Sequence, residues 1–243
     1  FCFSIFNPSL QEYKYEHLVP GAYDVTETVP AGWDRVSECT NGANPAHITV
    51  APGLTETCTF TNTRRGSLTI VKNAVGGDSD FAFSSPTLGN FNLTTAGGTA
   101  QTTFTDLPPG TYSVTETVPA GWDLTGVTCS DRSNVGNIGI APGGNVTCYF
   151  TNTKRGSLTI VKNTEGGEGS FDYTSPQLGA FTLTTANANA RRTFDNLLPG
   201  GYSVNEIVPT GWDQTIAICP GGVSPANVVV HPGENVTCNF VNT

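Results

Sequence analysis

Basic residues are scarce in this chain. Lysine and arginine together number 11 of 243 residues against 20 acidic ones, for a net charge of −9. Nucleic acid and anionic membrane surfaces are therefore not expected partners, because both are held by clustered Lys and Arg. No apolar run is long enough to span a bilayer, so no membrane insertion is expected. Stretches with helical periodicity are missing too, which points away from a helical fold. No cysteine stands in a CxxC arrangement or alongside a histidine, and His17, His47 and His231 do not recur from one part of the chain to the next. A metal site, a catalytic triad and a bound cofactor are thereby left out of the reading. The chain also has no starting methionine and no secretory signal, so Phe1 is expected to be the end of a processed or trimmed chain.

What the sequence does have is repetition. "RGSLTIVKN" begins at Arg65 and again at Arg155, and "FTNT" begins at Phe60 and Phe150, with "FVNT" at Phe240. "YSVTETVPAGWD" from Tyr112 has counterparts from Tyr23 and Tyr202. Such self-similarity marks a tandem array. The basic links "TNTRRG" and "TNTKRG" divide it into modules at 1–63, 64–153 and 154–243, with too little slack between neighbours for anything but a stiff rod. Within a module, short runs rich in Val, Ile, Thr, Phe and Tyr alternate with turn segments such as "VGGDSD", "LPPG" and "APGG". The expected fold class is all-β, three antiparallel β-sandwich modules in tandem. A module of this size has no room for an internal catalytic cleft.

Each module carries one cysteine pair at a common spacing: Cys39 with Cys58, Cys129 with Cys148, Cys219 with Cys238. These read as disulfides of an oxidising, extracellular compartment, each closing a loop of about 20 residues and contributing roughly 3 kcal/mol in the chain-entropy model. Cys2 is left over.

Residues two apart in a strand share a face. Tyr112, Val114 and Glu116 therefore lie together on the core side, and Glu27 and Glu206 occupy the same place in their modules. Leu68, Ile70 and Lys72 share a face, as do Leu158, Ile160 and Lys162. Cys148, Phe150 and Asn152 form a third inward row, matched by Cys238, Phe240 and Asn242. One such polar residue alone would be read as a strand end whose head reaches water. Three types recurring at the same places are expected to be buried together and to satisfy one another, since an isolated buried charge costs several kcal/mol. Desolvation favours the neutral amine and the protonated acid. A neutral amine can attack a carboxamide while the carboxyl relays protons, expelling ammonia and leaving an amide between two side chains.

"GSLTIVKN", "YSVTETVPAGW" and "CYFTNT" resemble the first strand, E-box and last strand of Cna-B or SpaA-like domains, prealbumin-fold modules of bacterial surface proteins and pilins. The resemblance covers almost the whole chain. It implies spontaneous isopeptide bonds, carried over here to Lys72 with Asn152 beside Glu116 and to Lys162 with Asn242 beside Glu206, with the glutamates acting only within their own modules. Three features depart from the family pattern: a cysteine pair in each module, Trp where the family often has Tyr after the E-box glycine, and Thr or Asn before the glutamate.

Aligning "FCFSIFNPS" with "FAFSSPT" at Phe81 shows that the first module lacks the "GSLTIVKN" strand, which leaves Glu27 and Asn62 without a local lysine. Lys14 falls in the wrong strand and Lys154 in a link. The gap is consistent with a strand added from another subunit, with a chain cut from a longer array, or with a degenerate cap. Cys2 fits an intersubunit disulfide in the first case and a trimmed or solvent thiol in the second. Asn92, Asn145 and Asn235 begin glycosylation sequons but read as strand residues. Asp78 and Asp80 read as a solvated turn rather than a calcium site. Trp33, Trp122 and Trp212 read as core anchors. The expected function is that of a bacterial, extracellular structural protein, a non-enzymatic building block of a stalk, pilus or filament whose partners are copies of itself, head to tail. A surface adhesin binding a glycan or protein is the alternative, and an accessory region of an extracellular enzyme a third.

Overall fold

The computed structural model describes residues 12–243. By internal contacts the chain divides into two compact units, Phe1–Arg65 and Gly66–Thr243. The described part of the first unit holds β1 (Gly21–Tyr23), β2 (Trp33–Cys39), β3 (Ile48–Val50) and β4 (Cys58–Arg64). β1 pairs antiparallel with β3, and β2 with β4. Among its described residues the buried apolar side chains are Cys39, Pro45 and Ile48. A full sandwich is therefore not seen among the described residues of this unit, which was expected to lack only its first strand. The "FCFSIFNPS" segment and Cys2 lie outside the described residues. Thr26, Glu27 and Thr28 form no strand here, although the equivalent residues do so in both later modules.

The second unit contains two repeats of one architecture. The first repeat comprises β5 (Gly66–Val75), β6 (Asp80–Ser84), β7 (Phe91–Thr94), β8 (Thr99–Leu107), β9 (Gly110–Tyr112), β10 (Thr115–Thr117), β11 (Trp122–Cys129), β12 (Ile138–Ile140) and β13 (Asn145–Lys154). The second comprises β14 (Gly156–Thr164), β15 (Ser170–Thr174), β16 (Phe181–Thr184), β17 (Asn189–Leu197), β18 (Gly200–Tyr202), β19 (Asn205–Ile207), β20 (Gln214–Ile218), β21 (Val228–Val230) and β22 (Asn235–Asn242). In each, a four-stranded sheet (β11-β13-β5-β8; β17-β14-β22-β20) is accompanied by a three-stranded sheet (β10-β6-β7; β16-β15-β19) and a two-stranded one (β12-β9; β18-β21).

Alternation gives these strands one apolar face. Leu68 and Ile70 of β5, Phe81 and Phe83 of β6 and Cys148 and Phe150 of β13 are at most 1% exposed, and the same positions of the second repeat are equally buried. Trp122 joins this core with its ring edge-on to Phe81, centroids 5.2 Å apart, and Trp212 meets Phe171 in the same way. Burial of such aromatic surface dominates small β cores.

Two features differ from the sequence expectation. The sheets are not purely antiparallel, because the first and last strands of each repeat lie side by side and run parallel: β5 with β13, β14 with β22. The "YSVTE" run is also two strands rather than one. β9 pairs with β12, the chain changes sheets at Ser113–Val114, and β10 pairs with β6. Tyr112, Val114 and Glu116 still share the inward face.

Disulfides Cys39–Cys58, Cys129–Cys148 and Cys219–Cys238 are formed, each between cysteines 19 positions apart. In the first two the half-cystines are directly opposed on neighbouring strands, so these bonds clamp hairpins within one sheet. Asp78 accepts from the Gly97 and Gly98 amides at 3.0 and 2.7 Å, as a turn residue. Asn145 and Asn235 accept from Ser67 and Ser157 on the adjacent first strands.

Each repeat opens on a glycine because its backbone is pressed against the turn that leads into the last strand of the same repeat. A Cβ on Gly156 would lie 2.4 Å from the Glu234 carbonyl oxygen and 2.5 Å from a Val230 methyl, and Gly66 meets Gly144 and Ile140 similarly. Gly156→Ala is expected to destabilise its module by about 1–3 kcal/mol through overpacking, measured as a lower denaturation midpoint in urea; an unchanged midpoint would contradict this close packing.

Candidate cross-linking site

The first strand of each repeat delivers its lysine to the core. Lys72 and Lys162 are 0% exposed, as are Asn152 and Asn242 on the last strands. Register fixes this meeting: Lys72 lies opposite Phe150 and Lys162 opposite Phe240 on the parallel ladder, so asparagines two residues further along point to the same side. The glutamates enter from the other sheet, where Glu116 faces Phe83 and Glu206 faces Tyr173.

In the first repeat, Lys72 Nζ stands 3.2 Å from Glu116 Oε1, the same oxygen that accepts from Asn152 Nδ2 at 2.9 Å. Lys72 also donates to the Phe150 carbonyl at 3.3 Å and sits 4.3 Å from the centre of the Phe81 ring. In the second repeat Lys162 Nζ is 2.9 Å from Glu206 Oε1, Asn242 Nδ2 donates to that oxygen at 2.8 Å, and Phe171 lies 4.1 Å below the amine. The Lys162 contact is close in distance but lacks hydrogen-bond geometry. The carboxyl side chains are fully enclosed in both.

Burial pushes the Lys72 and Lys162 amines below their ordinary value, with the facing glutamates opposing the shift. Burial likewise raises Glu116, against the pull of Lys72 and Asn152. Both directions favour a neutral amine beside a neutral acid. The hydrogen bonds agree with such a transfer. With Glu116 ionised, Glu116 Oε2 and Asn152 Oδ1 are both buried without a donor. A proton moved from the lysine to the carboxyl supplies one, and leaves a nucleophile beside a carboxamide whose oxygen the acid can protonate.

In unit 1, Asn62 donates to Glu27 in the same way, with no lysine between them. Lys14 is exposed and pairs with Glu16 at 2.8 Å, while Lys154 lies over Trp122 at 5.9 Å.

Sequence reasoning missed three features. Arg65 and Arg155, in the basic links, pair with Asp34 and Asp123 of the "GWD" motif at 2.6 Å, and the recurrence of that aspartate was the available signal. Gln214 donates to Glu206 Oε2 at 2.7 Å where the first repeat has Leu124. Tyr173 replaces Phe83, and its hydroxyl is buried without a partner and pushed well up by burial and by Glu206.

Residues 68–154 and 158–243 each match the family model of the prealbumin-like fold domain. The chain belongs to that family. Among solved structures, the Bacillus anthracis TIE protein is 19% identical over 93% of this chain, with a TM-score of 0.33. The chain spans 52% of that protein's length. The major pilin T-13 of Streptococcus pyogenes is 12% identical over 74% of this chain and 97% of its own, with a TM-score of 0.31. The shaft pilin spaA of Lactobacillus rhamnosus GG is 15% identical over 74% and 98%, with a TM-score of 0.28. Among curated protein sequences there is no match.

The buried lysine and glutamate oppose each other in pH dependence when the pair is left unreacted, as in an Asn152→Ala chain. Lys72 has a folded pKa below its ordinary 10.5, so the unfolded state binds the extra proton and stability rises as pH climbs toward 10.5. Glu116 has a folded pKa above 4.5, so the native state binds the extra proton and stability falls as pH rises from 4.5 through the folded value. Module two of that variant is therefore expected to be least stable at intermediate pH and to gain stability toward pH 10.5. Denaturation midpoints across pH test this, and adding Lys72→Met should abolish the alkaline gain.

Proposed function

We propose that this is an extracellular, cell-surface structural protein of a bacterium, a segment of a stalk, pilus or filament that assembles end to end with further modules of its own kind. Its chemistry is directed at itself. Lys72 joins Asn152 and Lys162 joins Asn242, with Glu116 and Glu206 each serving once as proton relay, and no external substrate is turned over. The observation that supports this reading is a buried Lys and a buried Asn on the two strands through which load would enter and leave a module, with a Glu from the other sheet between them.

β5 begins at Gly66 and β13 ends at Lys154, side by side and parallel, so tension along the chain shears one against the other. A bond from Lys72 to Asn152 passes that tension from strand to strand through covalent atoms and spares the ladder between them. Closing a loop of about 80 residues would also contribute roughly 4–5 kcal/mol in the chain-entropy model. The next module starts at Gly156, and the Arg155 guanidinium ties Asp123 to the Asn196 carbonyl across the joint. Disulfides within each module suit an oxidising exterior.

Intact mass of the denatured, reduced chain tests the chemistry: a deficit of two ammonia is expected, and a mass equal to that of the sequence would refute it. Glu116→Gln is expected to restore one ammonia and Glu206→Gln the other; a deficit unchanged by either substitution would remove that glutamate from its role.

A further inference from the structure

Neither the cross-link nor the load path accounts for the cysteine pair of each module, which lies on the hairpin that carries the reacting asparagine. Cys129 and Cys148 are opposed on β11 and β13, and Cys148, Phe150 and Asn152 form one inward row, at most 1% exposed. On the other side of β13, Cys148 lies opposite Ile70 and Phe150 opposite Lys72. Cys219–Cys238 stands in the same relation to Asn242 and Lys162, because Cys238 opposes Ile160 and Phe240 opposes Lys162.

The cluster depends on the register of this hairpin. Slipping a strand by one residue turns its side chains to the other face, and a competing register is close at hand. Both complete modules carry a one-residue bulge between the disulfide and the asparagine. Cys129 opposes Cys148 and Leu124 opposes Asn152, which leaves Thr125 out of the pairing. In the last module Gln214 opposes Asn242 and Ile216 opposes Val241, which leaves out Thr215. An unbulged pairing that kept Leu124 opposite Asn152 would set Cys129 opposite Thr147 and, with Cys129 inward, would turn Asn152 outward. The closed disulfide excludes that register.

Unit 1 shows how far the hairpin goes without the amine. Cys39 opposes Cys58 and Arg35 opposes Asn62 on the β2–β4 ladder, and Asn62 donates to Glu27 Oε1. No lysine-bearing strand pairs with β4 among the described residues. There the disulfide-bonded hairpin sets carboxamide against carboxyl by itself.

We propose that the disulfide is the positioning element of each module's cross-link: oxidation of Cys129 and Cys148 fixes the register at which Asn152 meets Glu116 and Lys72, so amide formation follows disulfide formation and lags in a reduced chain. Cys219 and Cys238 do the same for Lys162 and Asn242. The inference rests on the cross-linking chemistry proposed above. A chain held in a reducing compartment would stay largely unlinked and would harden on meeting an oxidant outside it.

The oxidant is a small-molecule disulfide. The two thiols pass two electrons and two protons to it, the Sγ–Sγ bond forms, and the oxidant leaves as two thiols. The step that follows is redox-neutral. Lys72 Nζ bonds to Asn152 Cγ and the Cγ–Nδ2 bond breaks, while Glu116 carries one proton from the amine to the departing nitrogen, which leaves as ammonia.

The test pulse-labels the 243-residue chain by cell-free synthesis under dithiothreitol and chases it with oxidised glutathione or with dithiothreitol retained. Intact mass, read over time after full reduction and denaturation, counts the ammonia lost, and peptide mapping assigns each loss to its module. Both losses are expected at least about 10-fold faster in the oxidised arm, within the ~100-fold that a 1 Å misplacement can cost. Cys129→Ala combined with Cys148→Ala should slow module two in both arms and leave the response of module three to oxidant intact. Adding sucrose until the folded fraction of that variant, read by protease resistance, equals that of the oxidised wild-type chain separates positioning from stability, and the lag of module two should persist. Equal rates in the two arms would overturn this proposal alone, as would a lag that disappears once folded fractions match, since the disulfide would then only stabilise. No ammonia lost in either arm would remove the cross-linking chemistry on which the inference rests.

Discussion

Burying an amine, a carboxyl and a carboxamide in one apolar cavity is the constraint around which each module is organised. Any of the three left alone would cost several kcal/mol, so the fold must bring them within hydrogen-bond reach of one another. It does so by letting all of them converge on one glutamate oxygen, at 2.8–3.2 Å in both complete modules. The Phe81 or Phe171 ring lies beneath the amine, and burial favours the amine's neutral form. Desolvation makes the ion pair a poor resting state, and the proposed covalent amide would remove that cost.

The topology would make the proposed cross-link mechanical as well as chemical. Because the first and last strands are neighbours and parallel, their outer ends lie at opposite ends of the module, and the chain passes to the next with one residue between Lys154 and Gly156. At that joint Gly233 donates to the Lys154 carbonyl, and a Cβ on Gly233 would fall 2.0 Å from the Gly76 carbonyl oxygen. Two glycines in left-handed conformations, at φ of 98° and 71°, let the two modules touch backbone to backbone. The fit restricts bending between neighbours without adding length.

The two complete clusters are built alike but not identically. Glu206 receives Gln214 on its second oxygen and has Tyr173 on the facing strand, where Glu116 has Leu124 and Phe83 in the corresponding places. A cavity of about 130 Å³ opens beside Glu206, lined by Gln214, Ala217 and Phe240 among others.

The repeats, the all-β class, the cysteine pairing and the inward rows of Lys, Glu and Asn were legible in the sequence because each depends on local periodicity. Alternation of side chains is a property of any strand, and three rows carrying the same polar types at the same positions fix which face is buried before any partner strand is known. What the sequence could not determine was adjacency between strands far apart in the chain. That β5 lies beside β13 and runs parallel to it, that "YSVTE" breaks into two strands in different sheets, that Arg155 locks the joint, and that the described part of unit 1 forms paired ladders rather than a sandwich were all decided by tertiary packing. Such choices depend on how whole sheets close over a shared core, and no local pattern of residues encodes them.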